Sequence, residues 1–163
     1  MDKIIACAIG LAVAVCPGIA RAQDDGAING TYRVQSNGEW AQTNDRFHDE
    51  AVVVSTWTIS TTCNGLAACA GEVKSDQGWT APIYRSTLQW YVKRTVSGWQ
   101  QCPDGTFADG LQIYRFYPVG VDGMVDRHST TYAGFDITTG PSGACGVNRP
   151  LEIRIPLRLT VLP

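Results

Sequence analysis

The residues best able to do chemistry are few and scattered. The sequence holds two histidines, His48 and His128, and neither shares a recognisable local motif with a serine and an acid. Gly140-Pro141-Ser142-Gly143-Ala144 has the outline of a nucleophile elbow but ends in alanine. That elbow also needs a strand-to-helix turn, and no helical pattern follows, so Ser142 reads as a turn residue. Asp45, Asp49 and Glu50 surround Arg46 and His48 in one polar segment. Two carboxylates flanking a sugar bond do acid–base chemistry, so a loop-carboxylate hydrolase acting on envelope glycan is one functional reading. It requires two of Asp45, Asp49, Asp104, Asp109 and Asp126 to converge in a cleft, one with a raised pKa. Asp104, Asp109, Asp122 and Asp126 lie in glycine-containing loops and offer oxygens to calcium, but none fits the Asp-x-Asp-x-Asp-Gly loop. No catalytic residue, metal ligand or cofactor is assigned on this basis.

Sulfur is more informative. Six cysteines occur. Cys7 and Cys16 belong to an N-terminal apolar segment, which leaves Cys63, Cys69, Cys102 and Cys145. Tight Cys-x-x-Cys pairs with histidine, as zinc prefers, are absent, and an even number in an exported domain reads as disulfides. Cys63 and Cys69 flank a short loop between two predicted strands, so Cys63–Cys69 with Cys102–Cys145 is the favoured pairing. The crossed pairings stay open.

Aromatic residues offer a binding surface. Along the predicted strands Tyr91 opposes Trp90, and Tyr114 with Phe116 opposes Tyr117, so both faces carry rings. One face must be the core, and the other is a second layer, a cavity or an exposed patch. Trp40, Trp90, Tyr91, Tyr114 and Phe116 are the candidate ligand-binding residues. The leading functional reading is a non-enzymatic protein that binds a small apolar ligand, or an envelope or host protein, through this aromatic face. A purely structural or interaction protein of the cell envelope is a further alternative.

Strands must position all of these groups. Leu151, Ile153, Ile155, Leu157, Leu159 and Val161 alternate with Glu152, Arg154, Pro156, Arg158 and Thr160, which buries one face and wets the other. Pro156 has no N–H for a ladder, so this strand is expected at an edge or with a bulge there. Similar stretches run over 31–35, 51–61, 70–74, 79–84, 87–95, 111–119 and, more weakly, 130–138. Turn residues punctuate them at Asn64-Gly65, Ser97-Gly98, Pro103-Asp104-Gly105 and Asp122-Gly123. No helical stripe appears, and the polar segment 41–50 has room for one helical turn at most. The expectation is an all-β fold, a small antiparallel β-barrel or β-sandwich of about eight strands with two disulfides. Local alternation does not separate barrel from sandwich.

The N-terminus reads as a leader. A short charged start, an apolar run over 4–15 and Ala20-Arg21-Ala22 outline a signal peptide over 1–22, cleaved after Ala22. The run is too short for a membrane span. Cys16 follows it as a lipidated cysteine would, but Val13-Ala14-Val15 is a poor match and Pro17 follows directly. A single secreted β domain over 23–163 is expected, with no transmembrane segment after cleavage. The leader holds two cations, Lys3 and Arg21, and one anion, Asp2, so its loss takes the formal charge from −2 to −3. With no run of Lys or Arg, a nucleic acid partner or an anionic membrane surface is disfavoured.

Ser55-Thr56-Trp57-Thr58-Ile59-Ser60, Ser75-Asp76-Gln77-Gly78-Trp79, Trp90-Tyr91-Val92-Lys93-Arg94-Thr95, Cys102-Pro103-Asp104-Gly105, Tyr114-Arg115-Phe116-Tyr117-Pro118 and Gly140-Pro141-Ser142-Gly143-Ala144-Cys145 span most of the mature chain. On these segments it resembles small secreted proteins of mycobacteria and related actinobacteria. The resemblance implies a place, the cell envelope or medium of such a bacterium, and no activity or catalytic residues.

Overall fold

A computed structural model describes residues 26–65 and 68–163. The expected leader, its cleavage site, Cys7 and Cys16 lie outside the described residues. Ten strands follow in order: β1 Gly30–Ser36, β2 Gln42–Thr43, β3 Arg46–Phe47, β4 Val53–Asn64, β5 Ala68–Ser75, β6 Thr80–Ser86, β7 Gln89–Gln101, β8 Phe107–Pro118, β9 Thr131–Thr139 and β10 Glu152–Val161.

From β4 to β10 each strand pairs antiparallel with the next, and β1 pairs with both β4 and β10. That second pairing, Tyr32 with Val161 through Ser36 with Leu157, closes the sheet into an eight-stranded barrel. The barrel alternative is therefore the correct one, and closure removes the sheet edges that a sandwich would leave. The small β2–β3 hairpin adds to β10 at Ile153 and Arg154. It occupies the segment read from sequence as at most one helical turn. Backbone contacts set it there: Asn44 donates to the Glu152 carbonyl at 2.9 Å and His48 to that of Ala41 at 3.1 Å.

Each predicted strand is present, and alternation sorts its side chains as expected. Trp57 and Ile59 of β4, Trp90 and Val92 of β7, Phe116 of β8 and Leu157 and Leu159 of β10 form the core. Pro156 is not on an edge strand, because β10 pairs on both sides. It sits where β1 has ended and β2 has not begun, and its carbonyl accepts from Asn37 N at 2.8 Å. The gap between those partners is where a missing N–H costs nothing.

Two cystines staple the barrel, Cys63–Cys69 and Cys102–Cys145. The first joins registered partners of the β4–β5 hairpin. The second ties the β7–β8 connection to the turn before β10, across 43 residues. Among the described residues no helix is long and apolar enough to cross a membrane.

Candidate functional site

Rings and aliphatic side chains pack the barrel interior. Trp57 meets Tyr114 edge to face at 4.8 Å and Trp79 at 5.3 Å. Trp79 in turn lies parallel to Tyr114, with the Arg94 guanidinium 4.6 Å from its centroid. These groups fill the end of the barrel where β1 and β9 finish. Beside them runs a polar chain that is buried at Ser36 and Asp136 and half-buried at Arg94 and Gln112. Arg94 Nε donates to Gln112 Oε1 at 2.8 Å, Gln112 Nε2 to Asp136 Oδ1 at 2.8 Å, and Ser36 Oγ to Asp136 Oδ2 at 2.8 Å. Burial pushes the Asp136 carboxyl above its ordinary value, and the hydrogen bonds and the Arg94 charge only partly oppose it. Burial likewise raises the Tyr114 phenol, with the nearby Asp136 charge adding to it.

The other end is open. A cleft of about 640 Å³ lies where β1, β7 and β9 begin and β6 and β8 end. Its floor is aromatic: Trp90, Tyr32 and Tyr132 line it and are themselves buried. Tyr32 meets Tyr132 edge to face at 5.9 Å, and Tyr132 meets Phe116 at 5.8 Å. Burial raises the Tyr32 phenol, which keeps it a neutral hydrogen-bonding group. The Arg85 guanidinium lies 5.5 Å from the Trp90 centroid, and its Nη1 donates to the Gly26 carbonyl at 2.8 Å. Arg127, His128, Ser129 and Thr130 form one wall. Their loop is built by turn hydrogen bonds, including Gly120 N to Met124 O at 2.9 Å and His128 N to Asp126 Oδ1 at 3.0 Å. Arg85, Arg127 and His128 line the cleft, and no carboxylate does among the described residues. A second depression, between Thr58, Ser60, Thr62, Glu72 and Lys74 on the outside of β4 and β5, carries no ring.

The five ring residues singled out from sequence fall in three places. Trp90, Tyr114 and Phe116 are 2%, 5% and 0% exposed in the core. Tyr91 is on the outer face, stacked on Tyr84 at 5.3 Å with 13° between planes. Trp40 follows β1 in a single 3-10 turn and is 68% exposed. Of the five, Trp90 alone lines the cleft. Sequence reading did not single out Tyr32, Tyr132 or Arg127, and met His128 only as a histidine outside any catalytic motif. The inward parity of Tyr32 and Tyr132 was legible, but their meeting depends on closure.

The loop carboxylates do not converge. Asp45, Asp49, Asp104, Asp109 and Asp126 are all exposed, on the β2–β3 turn, the segment after it, the β7–β8 connection, the start of β8 and the loop before β9 respectively. Hydrogen bonds from Thr106 hold Asp104 below the ordinary carboxylate range, the opposite of what a general acid needs. Among the described residues no group of three or more His, Cys, Asp or Glu could hold a metal ion.

Comparison with protein-family models and with curated protein sequences gives no match. Among solved structures the chain is similar to the monomer form of the M. tuberculosis PknI sensor domain. The TM-score is 0.58 and the identity 17%, over 83% of this chain and 87% of that one. At this identity the likeness is one of fold.

Proposed function

We propose that this chain is an exported, non-enzymatic binding protein of sensor type, and that its barrel-mouth cleft takes a small molecule with an apolar or ring-bearing body and an acidic group. The cleft itself carries the reading. Its size and its aromatic floor are those of a small-molecule site. Arg85, Arg127 and His128 around it favour an anionic group. Two disulfides accord with an oxidising compartment outside the cytoplasm, as does the expected leader. The fold neighbour is a sensor domain, which favours binding over catalysis. Trp90 would meet the ligand's apolar body, whereas Tyr114 and Phe116 would act only as packing beneath it.

The test is an NMR titration of the secreted chain with decanoate and with indole-3-acetate. Saturable shifts at Trp90, Tyr132 and Arg127 are expected, with affinity falling about tenfold in Arg127→Gln. If neither compound nor a lipid extract moves those resonances, the reading fails.

A further inference from the structure

The rings that alternation excludes from the core form a line of their own. Tyr84 is registered with Tyr91, Tyr91 with Arg115, Arg115 with Phe135 and Phe135 with Pro156. These outward side chains run across five neighbouring strands, a length of about 19 Å at the usual strand spacing. The rings hold cations between them. Lys93 Nζ lies 5.4 Å from the Tyr84 centroid, and the Phe135 ring has the Arg154 guanidinium at 3.9 Å and that of Arg115 at 5.7 Å. A guanidinium splinted against a ring has lost much of its rotamer freedom before any partner arrives. The buried Nε of Arg154 has no hydrogen-bond partner. Exposed Arg158 continues the row. Among the described outward side chains of β6 to β10, acids occur only at the far end. Glu152 accepts there from Thr139 at 3.4 Å, and Asp109 from Gly98 N at 2.8 Å.

We propose that this outer row binds an acidic polysaccharide, with its carboxylates seated on Arg115, Arg154 and Lys93. The cations sit on β7, β8 and β10, with Lys93 and Arg154 each two residues along from the row that holds Arg115, so neighbouring charges start about 8 and 12 Å apart. That suits a polymer with one carboxylate per one or two sugars. A nucleic acid strand carries a charge every 3.4 Å or so and would leave many phosphates unpaired against an acidic protein. An acidic peptide binds most readily as an added strand, and a closed barrel has no edge to offer one. Bidentate guanidinium–carboxylate pairs supply both affinity and register. This surface is separate from the mouth cleft and does not depend on it.

The exported, disulfide-bonded chain is titrated by calorimetry with oligogalacturonate, with size-matched maltodextrin, with polyglutamate and with phosphatidylglycerol vesicles. Oligogalacturonate should bind, more weakly as salt is added. Arg115→Gln and Arg154→Gln should each weaken it about tenfold. Both arginines pack on Phe135, so thermal melts accompany them. Exposed Lys93 and Arg158 give a second pair, Lys93→Gln and Arg158→Gln, each expected to cost about threefold without disturbing the fold. Trp90→Phe, in the cleft, should leave oligogalacturonate affinity unchanged. The proposal is overturned by absent binding, by equal binding of maltodextrin or polyglutamate, by binding to the vesicles alone, or by unchanged affinity in all four charge variants.

Discussion

Ser36 donates its hydroxyl to Oδ2 of Asp136 at 2.8 Å, joining β1 to β9 across 100 residues. Gln112 donates to the other oxygen. The Asp136 side chain is thus fully partnered yet buried, and its carboxyl is pushed up chiefly by burial. Between the ordinary value and the raised one, the folded chain holds more protons than the unfolded chain. The stabilisation from this proton is fully present below the unfolded value, about 3.9, and is lost as pH rises through the folded value. Asp136→Asn mimics the protonated form and should match or exceed the parent in urea midpoint at neutral pH, an advantage that shrinks as pH falls and the parent's own carboxyl takes up its proton. Asp136→Ala strands Ser36 and Gln112 and should cost about 2 kcal/mol. An Asn variant as unstable as the Ala variant at pH 7 would show that the charge itself holds the network.

The two cystines should differ in worth. By the loop-closure model the short Cys63–Cys69 ring contributes about 2 kcal/mol and the long Cys102–Cys145 ring about 4 kcal/mol. Paired serine substitutions, compared by denaturant midpoint, should rank in that order. Equal losses would mean that the denatured chain already keeps the β7–β8 connection near the turn before β10.

Gly134 is registered with Phe116 where β8 and β9 press together. A Cβ added there would meet the Arg115 carbonyl and come 2.7 Å from Phe116 Cα, both backbone. Gly134→Ala should therefore destabilise by about 1–3 kcal/mol, as overpacking does, whereas Gly123→Ala on the open loop should act only through its positive φ. A thermal melt of Gly134→Ala equal to the parent would mean that the two strands separate at little cost.

Tryptophan placement gives an optical test of the cleft. Trp90 lines it, while Trp40 is exposed after β1 and Trp57 is buried among other rings. Trp90→Phe should abolish a ligand-induced fluorescence change, and Trp40→Phe should preserve it. The reverse result would move the site to the opposite end of the barrel.

Period-two alternation, read without any structure, determined which segments are strands and which side chains turn inward. Leu157 and Leu159, or Trp57 and Ile59, declare their face because neighbours on a strand point to opposite sides. The Cys63–Cys69 pair was legible because a hairpin juxtaposes its own ends. What alternation could not determine was what each face meets. Closure rests on β1 pairing with β10, Tyr32 opposite Val161, and no local pattern carries that contact. The cleft depends on it, since Tyr32 and Tyr132 are neighbours only in a closed barrel. So does the Ser36–Asp136 bond. Trp40 lies outside any strand, where parity has no meaning, and so stands apart from the rings of the barrel strands. Tyr91 was correctly placed opposite Trp90, but only tertiary pairing could line it up with Tyr84, Arg115 and Phe135 on one surface.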